Sequence, residues 1–438
     1  MEIDKTTFTD LSIFNSEEEF SVFEKLNLTR TTGGRERLRK YFTDTLPNIE
    51  AIENVQNILK LIISNELQWP LKISNGSIMM IHKFYETGVD SPPSKPTLAT
   101  AHYYKLFHPA DFSLIKDSLG HAFNFLKGMQ HLVFVLLEED TPANLRVILT
   151  KAQVLLNKPS LDIIHKKENI NDLAITELLS LTHYLIYHYK HQIYQLIDLY
   201  SHLDAWYGMA MAVKKYNLVF PEFIHSNEPV LKSDKLYHIL LENPVAYDVE
   251  LNKNNSFIFL TGANMAGKST FIKSVGTAVF LAHIGMGVPA YSMELSKFEG
   301  LLSNINVMDN IVKGESFFYN EVQRIKNTII RVSDGRKWLI LIDELFKGTN
   351  VQDAMKCSTV VIEGLIKIKH SLFILSTHLY EIGENLKKHQ NIDFKYFETH
   401  VSDGRLHFSY QLKDGVSNDR LGYLILEREK VIELLDNL

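Results

Sequence analysis

Residues 257–270 read FIFLTGANMAGKST. The apolar run Phe257–Leu260 has the length and flanks of a buried strand. It leads into Gly262-x-x-x-x-Gly267-Lys268-Ser269, after which a helical pattern runs from Thr270 to Leu281. A strand, a glycine loop and a helix in that order make a phosphate-binding loop. The glycines let successive backbone N–H groups turn inward around a phosphate, and the helix N-terminus adds partial positive charge. Lys268 would reach the β- and γ-phosphates of ATP, and the Ser269 hydroxyl would ligate Mg²⁺. The expected nucleotide contacts are Gly262, Ala263, Asn264, Met265, Ala266, Gly267, Lys268, Ser269 and Thr270.

Working outward, Leu339-Ile340-Leu341-Ile342 runs into Asp343-Glu344. Alone, an apolar run ending in two acids marks only a strand end. In the same α/β half as the glycine loop it is the expected second part of an ATPase site. Asp343 would hold Mg²⁺ through water, and Glu344 would polarise the attacking water. A third run, Leu372–Leu375, is followed by Ser376-Thr377-His378. His378 is expected to sense the γ-phosphate; its plain reading is a buried hydrogen-bonding histidine.

The three runs alternate with helical patterns, as buried parallel strands do in a layered α/β fold. The N-terminal half differs. From about Ser16 to Tyr216 apolar residues recur at helical spacing. No proline interrupts Ile175 to Tyr216, which predicts one long helix or two stacked ones, and a second helical block spans Asp111 to Glu138. VDSPPSKPTLAT, Val89 to Thr100, has three prolines and is the expected linker. A length of 438 residues suggests two or three units, and 45% hydrophobic with 22% charged residues excludes a disordered chain. The single cysteine, Cys357, excludes an intramolecular disulfide framework and fits a reducing compartment. No signal-peptide pattern opens the chain, and the greasy runs are too short to span a bilayer, so a cytoplasmic protein without a membrane partner is expected. A formal charge of −6 does not favour a blanket grip on nucleic acid, although a local basic patch could contact phosphate.

TGANMAGKST, with GESFFYNE, LIDELFKGTN and STHLYE further on, resembles the ATPase domain of the MutS family of DNA mismatch repair proteins. The Asn264-Met265 pair is a feature of that family, and Asp343 to Asn350 resembles its DE-x-x-x-GT-S stretch with Asn350 in place of Ser. YQLKDGVSNDRLGYLIL resembles its helical dimerisation tail. FEKLNLTRTTGGRERLRKYF, Phe23 to Phe42, is similar to the start of the family's lever domain, with Gly34 and Leu38 at expected positions. LDAWYGMAMAVKKYNLVFPEF, Leu203 to Phe223, is similar to the lever helix that enters the ATPase domain.

The resemblance implies a multi-domain α + α/β chain. An all-helical lever domain would span 1–220, and an ABC-type P-loop α/β ATPase domain with a C-terminal helical tail would span 221–438. It implies a homodimer with composite ATP sites, in which Ser316 of a signature loop reaches the γ-phosphate held by the opposite subunit; read alone, GES is a helix N-cap. Glu321 matches a family acid or stabilises its own helix, and Asp353 follows at the spacing of an interface loop. The implied catalytic set is Glu344, Lys268, His378 and Ser316, with Ser269 and Asp343 on Mg²⁺. The family's mismatch-reading and connector domains are not expected, because lever-like residues begin within the first few dozen positions. Phe84 sits in a wedge-like Phe-Tyr-Glu triplet but is expected to be a packing residue. The basic cluster Arg30 to Lys40 is expected to be a solvated face or an internal contact rather than a DNA grip, and His183, His188 and His191 are not expected to bind metal. The implied function is an ATP-driven clamp on duplex or branched DNA, with other repair proteins as further partners. The alternative is a dimeric switch acting on a protein partner with little DNA binding.

Overall fold

The computed structural model describes residues 1–15, 17, 20–86, 90–305, 317–402, 405–417 and 434–435. Its contacts divide the chain into two units. One comprises Leu26–Asp44 and Glu53–Lys215; the other comprises Met1–Lys25, Thr45–Ile52 and Tyr216–Leu438. The sequence placed a single boundary near residue 220, whereas the first 25 residues group with the α/β unit. The reason is local. Strand β1 (Glu2–Ile3) pairs in parallel with residues 300–301, and helix α1 (Lys5–Asp10) packs on that same strand. Helix α2 (Val22–Leu26) follows.

The helical unit contains α3 (Thr32–Thr43), the later part of α4 (Ile49–Ser64), α5 (Asn75–Glu86), α6 (Leu98–Phe107), α7 (Pro109–Leu136), α8 (Ala143–Leu156), α9 (Asp162–Lys166), α10 (Ile175–His188) and α11 (Lys190–Lys215). The apolar stretch from Ile175 thus forms two helices. They part at Tyr189, whose backbone leaves the helical region (φ −126°, ψ 1°) while its buried hydroxyl donates to the Leu155 carbonyl at 2.8 Å. Helix α11 is buried on every side from Leu203 to Ala210, so it is the axis of this unit. Trp69 stacks on Tyr207 at 4.4 Å and Tyr41 on Trp206 at 5.9 Å.

A buried carboxylate holds the entry to α3. Asp204 accepts from the Arg30 and Thr31 N–H groups at 3.0 and 2.8 Å and from the Thr31 hydroxyl at 2.6 Å. Burial raises the Asp204 pKa, and these donors oppose the rise. Gly34 is required beside it, because a Cβ there would fall 2.0 Å from the Asp204 carboxylate. Part of the basic cluster is used internally: Arg30 donates to the Leu71 carbonyl at 2.9 Å, and Arg37 pairs with Asp198 at 2.9 Å. Phe84 is buried in α5, edge-on to Tyr85. Of the expected linker, Val89 lies outside the described residues, residues 90–96 form no helix or strand, and Thr97 caps α6.

In the α/β unit the strands are β2 (Glu222–Ile224), β3 (Leu231–Leu236), β4 (Tyr247–Leu251), β5 (Phe257–Thr261), β6 (Ser292–Ser296), β7 (Gly300–Asn304), β8 (Trp338–Asp343), β9 (Ser371–Ser376), β10 (Ile392–Ser402) and β11 (Arg405–Asp414). A seven-stranded sheet has the order β1-β7-β8-β9-β5-β10-β11, parallel throughout except for the β10–β11 hairpin. A four-stranded sheet has the order β2-β6-β3-β4. Every residue of β5, β8 and β9 is buried, as expected of parallel strands covered on both faces. The helices are α12 (Lys268–His283), α13 (Phe317–Val332), α14 (Val351–Leu365) and α15 (Glu381–Leu386). Among the described residues, no helix is long and apolar enough to cross a membrane. The expected C-terminal helical tail, 420–438, lies almost wholly outside the described residues.

Candidate nucleotide-binding site

Strands β5, β8 and β9 are neighbours in one parallel sheet, so the segments that follow them meet at its carboxyl edge, where ligands of such sheets bind. After β5 the loop turns on left-handed residues: Gly262 at φ +140°, Met265 at +68° and Gly267 at +110°. At Gly262 the dihedral disfavours a side chain, and a Cβ would also sit a tight 3.2 Å from the Phe397 carbonyl. Gly267 caps α12, and the first N–H groups of that helix have no acceptor within it. Lys268 is buried, and its ammonium donates to the Gly262 and Ala263 carbonyls at 2.8 and 3.0 Å. Burial lowers the Lys268 pKa, while Glu344 and Asp343 oppose that shift.

The register between β8 and β9 places Asp343 opposite Ser376. The Ser376 hydroxyl donates to Asp343 Oδ1, and the Ser269 hydroxyl donates to Oδ2 at 2.5 Å. Each carboxylate oxygen is therefore held by a serine, one from the neighbouring strand and one from the phosphate loop. A hydroxyl and a carboxylate converging from two elements form a hard-oxygen pair that suits Mg²⁺.

Glu344 follows in a left-handed conformation (φ +54°), and its N–H donates to the Ser376 carbonyl at 2.9 Å. Burial alone would raise its carboxyl pKa. The Lys347 ammonium, 2.7 Å from Oε2, together with Lys268 and His378, holds it below the usual range. His378 is exposed just past β9, so the buried reading does not apply. Glu321 does more than stabilise its own helix, since its carboxylate accepts from the N–H groups of Phe346, Lys347 and Gly348. Asn350 caps α14, accepting from the Asp353 N–H at 3.0 Å, a task that serine also performs. Ser316, with Gly314 and Glu315, lies outside the described residues.

Sequence reasoning missed one side of the site. A cleft of about 450 Å³ is lined by Asn264, Met265, Gly267, Lys268, Ser269, Thr270 and Glu344, and also by Leu241, Asn243, Val245, Tyr247 and Tyr410. Leu241, Val245 and Tyr410 are partly exposed apolar side chains beside the 262–270 loop. Tyr247 packs edge-on against Phe271 and Phe397, and burial pushes its hydroxyl up to about 12. Only the Asn243-Pro244 turn ahead of β4 hints at this wall in the sequence. Ser376 and Lys347 lie within the quoted motifs, but their partners follow from strand register and loop shape.

Two other features are less suited to chemistry. A larger groove of about 660 Å³ in the helical unit is lined by residues of α8 and α11 such as Val154, Leu155 and Tyr194. Asp90, His108 and Asp111 cluster, but they satisfy one another: His108 pairs with Asp90 at 2.8 Å, and the Asp90 N–H donates to Asp111 at 3.1 Å.

Residues 258–432 match the family model for MutS domain V. The chain is 28% identical over 240 residues to the DNA mismatch repair protein MutS of Staphylococcus haemolyticus, covering 53% of this chain and 27% of that protein. It is 28% identical over 274 residues to the protein of the same name from Petrotoga mobilis, covering 62% and 32%. It is 26% identical over 325 residues to human MutS protein homolog 4, covering 70% and 34%. The chain thus spans about a third of the length of these relatives. The domain V match takes in the 262–270 loop and both acids, and the aligned relatives reach into the helical half, which together support membership of the MutS family.

Proposed function

We propose that this chain is a MutS-type ATPase that converts ATP and water to ADP and phosphate and uses the cycle to change its hold on DNA. The observation that carries the reading is the Asp343 carboxylate, clamped between the Ser269 and Ser376 hydroxyls with Glu344 next in the chain. The triphosphate lies along the 262–270 loop, where Lys268 and the first N–H groups of α12 neutralise its charge. Ser269 and Asp343 would hold Mg²⁺, whose charge would offset that of the bound phosphates. Glu344 stays ionised near neutral pH and aligns the attacking water; His378 senses the terminal phosphate. Leu241, Val245 and Tyr410 offer an apolar wall for the base. The α/β unit is the ATPase, and the helical unit is the lever that carries its changes outward. The active form is a homodimer in which Ser316 of one copy completes the site of the other.

The DNA part of the proposal is supported by family membership and by the names of the bacterial relatives. Purified chain should release phosphate from ATP with Mg²⁺, and Lys268→Ala should abolish nucleotide binding; equal binding by that variant would remove the phosphate-loop assignment. Binding to duplex, mismatched and four-way DNA should weaken steeply with salt, the log-log slope reporting phosphate contacts. No binding at low salt, with or without ATP, would replace the clamp with the protein-directed switch.

A further inference from the structure

The segment that follows Glu344 is held in a shape its residues do not favour. Glu344 and Phe346 both have left-handed backbones, at φ +54° and +60°, where side-chain-bearing residues are uncommon. What holds the stretch from Phe346 onward is α13. Glu321, 4% exposed, places its carboxylate against three successive N–H groups: Oε1 lies 3.1 Å from the Phe346 nitrogen and 3.4 Å from that of Lys347, and Oε2 lies 3.5 Å from that of Gly348. Consecutive N–H groups converging on one anion form a nest. One turn earlier on the helix, the Phe318 ring lies against that of Phe346 at 5.6 Å. From the loop, Lys347 reaches Glu344 at 2.7 Å. The contacts therefore run from Glu321 to the 346–348 backbone, and from Lys347 to Glu344. Glu321 does not line the nucleotide cleft.

We propose that Glu321 is a positioning residue for hydrolysis: its carboxylate fixes the 346–348 loop, and through that loop it sets Glu344 where the attacking water is aligned. This rests on the reading of Glu344 as the water-aligning group. A carboxylate serving only the stability of α13 would have no reason to engage three N–H groups of the loop beyond Glu344. The backbone strain and the buried charge are both placed at one functional turn.

The test is Glu321→Gln, which keeps the side-chain volume but turns an amide N–H₂ toward N–H donors. Affinity for a fluorescent ATP analogue should stay within about twofold, while the turnover number falls at least about tenfold. In the Glu344→Gln background the same change should cause no further loss, because residues acting as one unit are not additive. Where Glu321→Gln does not fold, Glu321→Asp keeps the charge on a shorter arm and should show intermediate turnover at unchanged affinity. Wild-type turnover in Glu321→Gln, a loss that multiplies with that of Glu344→Gln, or binding that weakens in step with turnover would each overturn the positioning role. Failure of the underlying reading looks different: the unmodified chain would release no phosphate, or Glu344→Gln would turn over normally.

Discussion

Ser376→Ala should weaken the metal site and leave metal-free nucleotide binding alone. Ser376 is fully buried, and its hydroxyl donates to Asp343 Oδ1 from the adjacent strand, while Oδ2 faces Ser269. Without that bond one oxygen of a carboxylate that is only 8% exposed loses its donor, and the group is free to rotate about its last torsion. A hydrogen bond to a charged group is worth roughly 1.5–3 kcal/mol, about ten- to a hundredfold in an equilibrium constant. Partners that orient a metal ligand carry about the same weight. The half-saturating Mg²⁺ concentration for ATP hydrolysis should therefore rise about ten- to a hundredfold. Fluorescent-nucleotide binding in chelator should not change, and the same rise should appear when Mg²⁺-dependent nucleotide binding is titrated. A shift smaller than about twofold in both titrations would refute the argument that this hydroxyl orients the carboxylate.

Two further expectations concern the frame around the site. His283 is fully buried, with Nδ1 on the Val279 carbonyl at 2.7 Å and Nε2 accepting from the Phe298 N–H at 2.9 Å, and burial holds its pKa down to about 3. Because the folded value lies below the unfolded one, its contribution is complete above about pH 6.5 and is lost as pH falls toward 3, at about 1.4 kcal/mol per pH unit. Gln does not titrate, so urea melts of His283→Gln between pH 7 and 5 should show a shallower pH slope, by up to about that amount; an unchanged slope would exclude His283 as the source. At Gly300 an added Cβ would fall 2.0 Å from the Trp338 ring, so Gly300→Ala should cost about 1–3 kcal/mol in denaturant unfolding, and an unmoved midpoint would contradict the packing described.

The strands of the α/β unit that lead into the candidate site were legible in the sequence because each is a continuous run with the candidate residues at one end. Phe257–Leu260, Trp338–Ile342 and Leu372–Leu375 are unbroken apolar runs, as expected of strands buried on two faces. The glycine loop at 262–270 is local, so its spacing is visible in one dimension. What was not legible depends on register or on long-range packing. The Ser376–Asp343 bond exists because two strands far apart in the chain align at that pair. Glu321 reads as one more helix acid until the loop at 346–348 is seen folded against it. Tyr410 and Leu241 come to the phosphate loop from segments far from it in the chain. The N-terminal segment reads as the start of a helical half, yet Asp10 is buried against the Ser303 hydroxyl at 2.6 Å and the Ile305 N–H at 3.0 Å. Its place with the α/β unit follows from sheet pairing, which leaves no periodic mark in so short a strand. The break at Tyr189 likewise coincides with a tertiary hydrogen bond and carries no proline or glycine to mark it.

The measurement that bears most directly on the ATPase account is a paired one on Glu344→Gln. Equilibrium binding of ATP and phosphate release are followed on the same preparation with Mg²⁺ present. The account predicts ATP affinity close to that of the unmodified chain and phosphate release reduced at least about a hundredfold, since only the alignment of water is removed. Phosphate release at the unmodified rate, with ATP still bound, would place the hydrolytic group elsewhere and contradict the assignment.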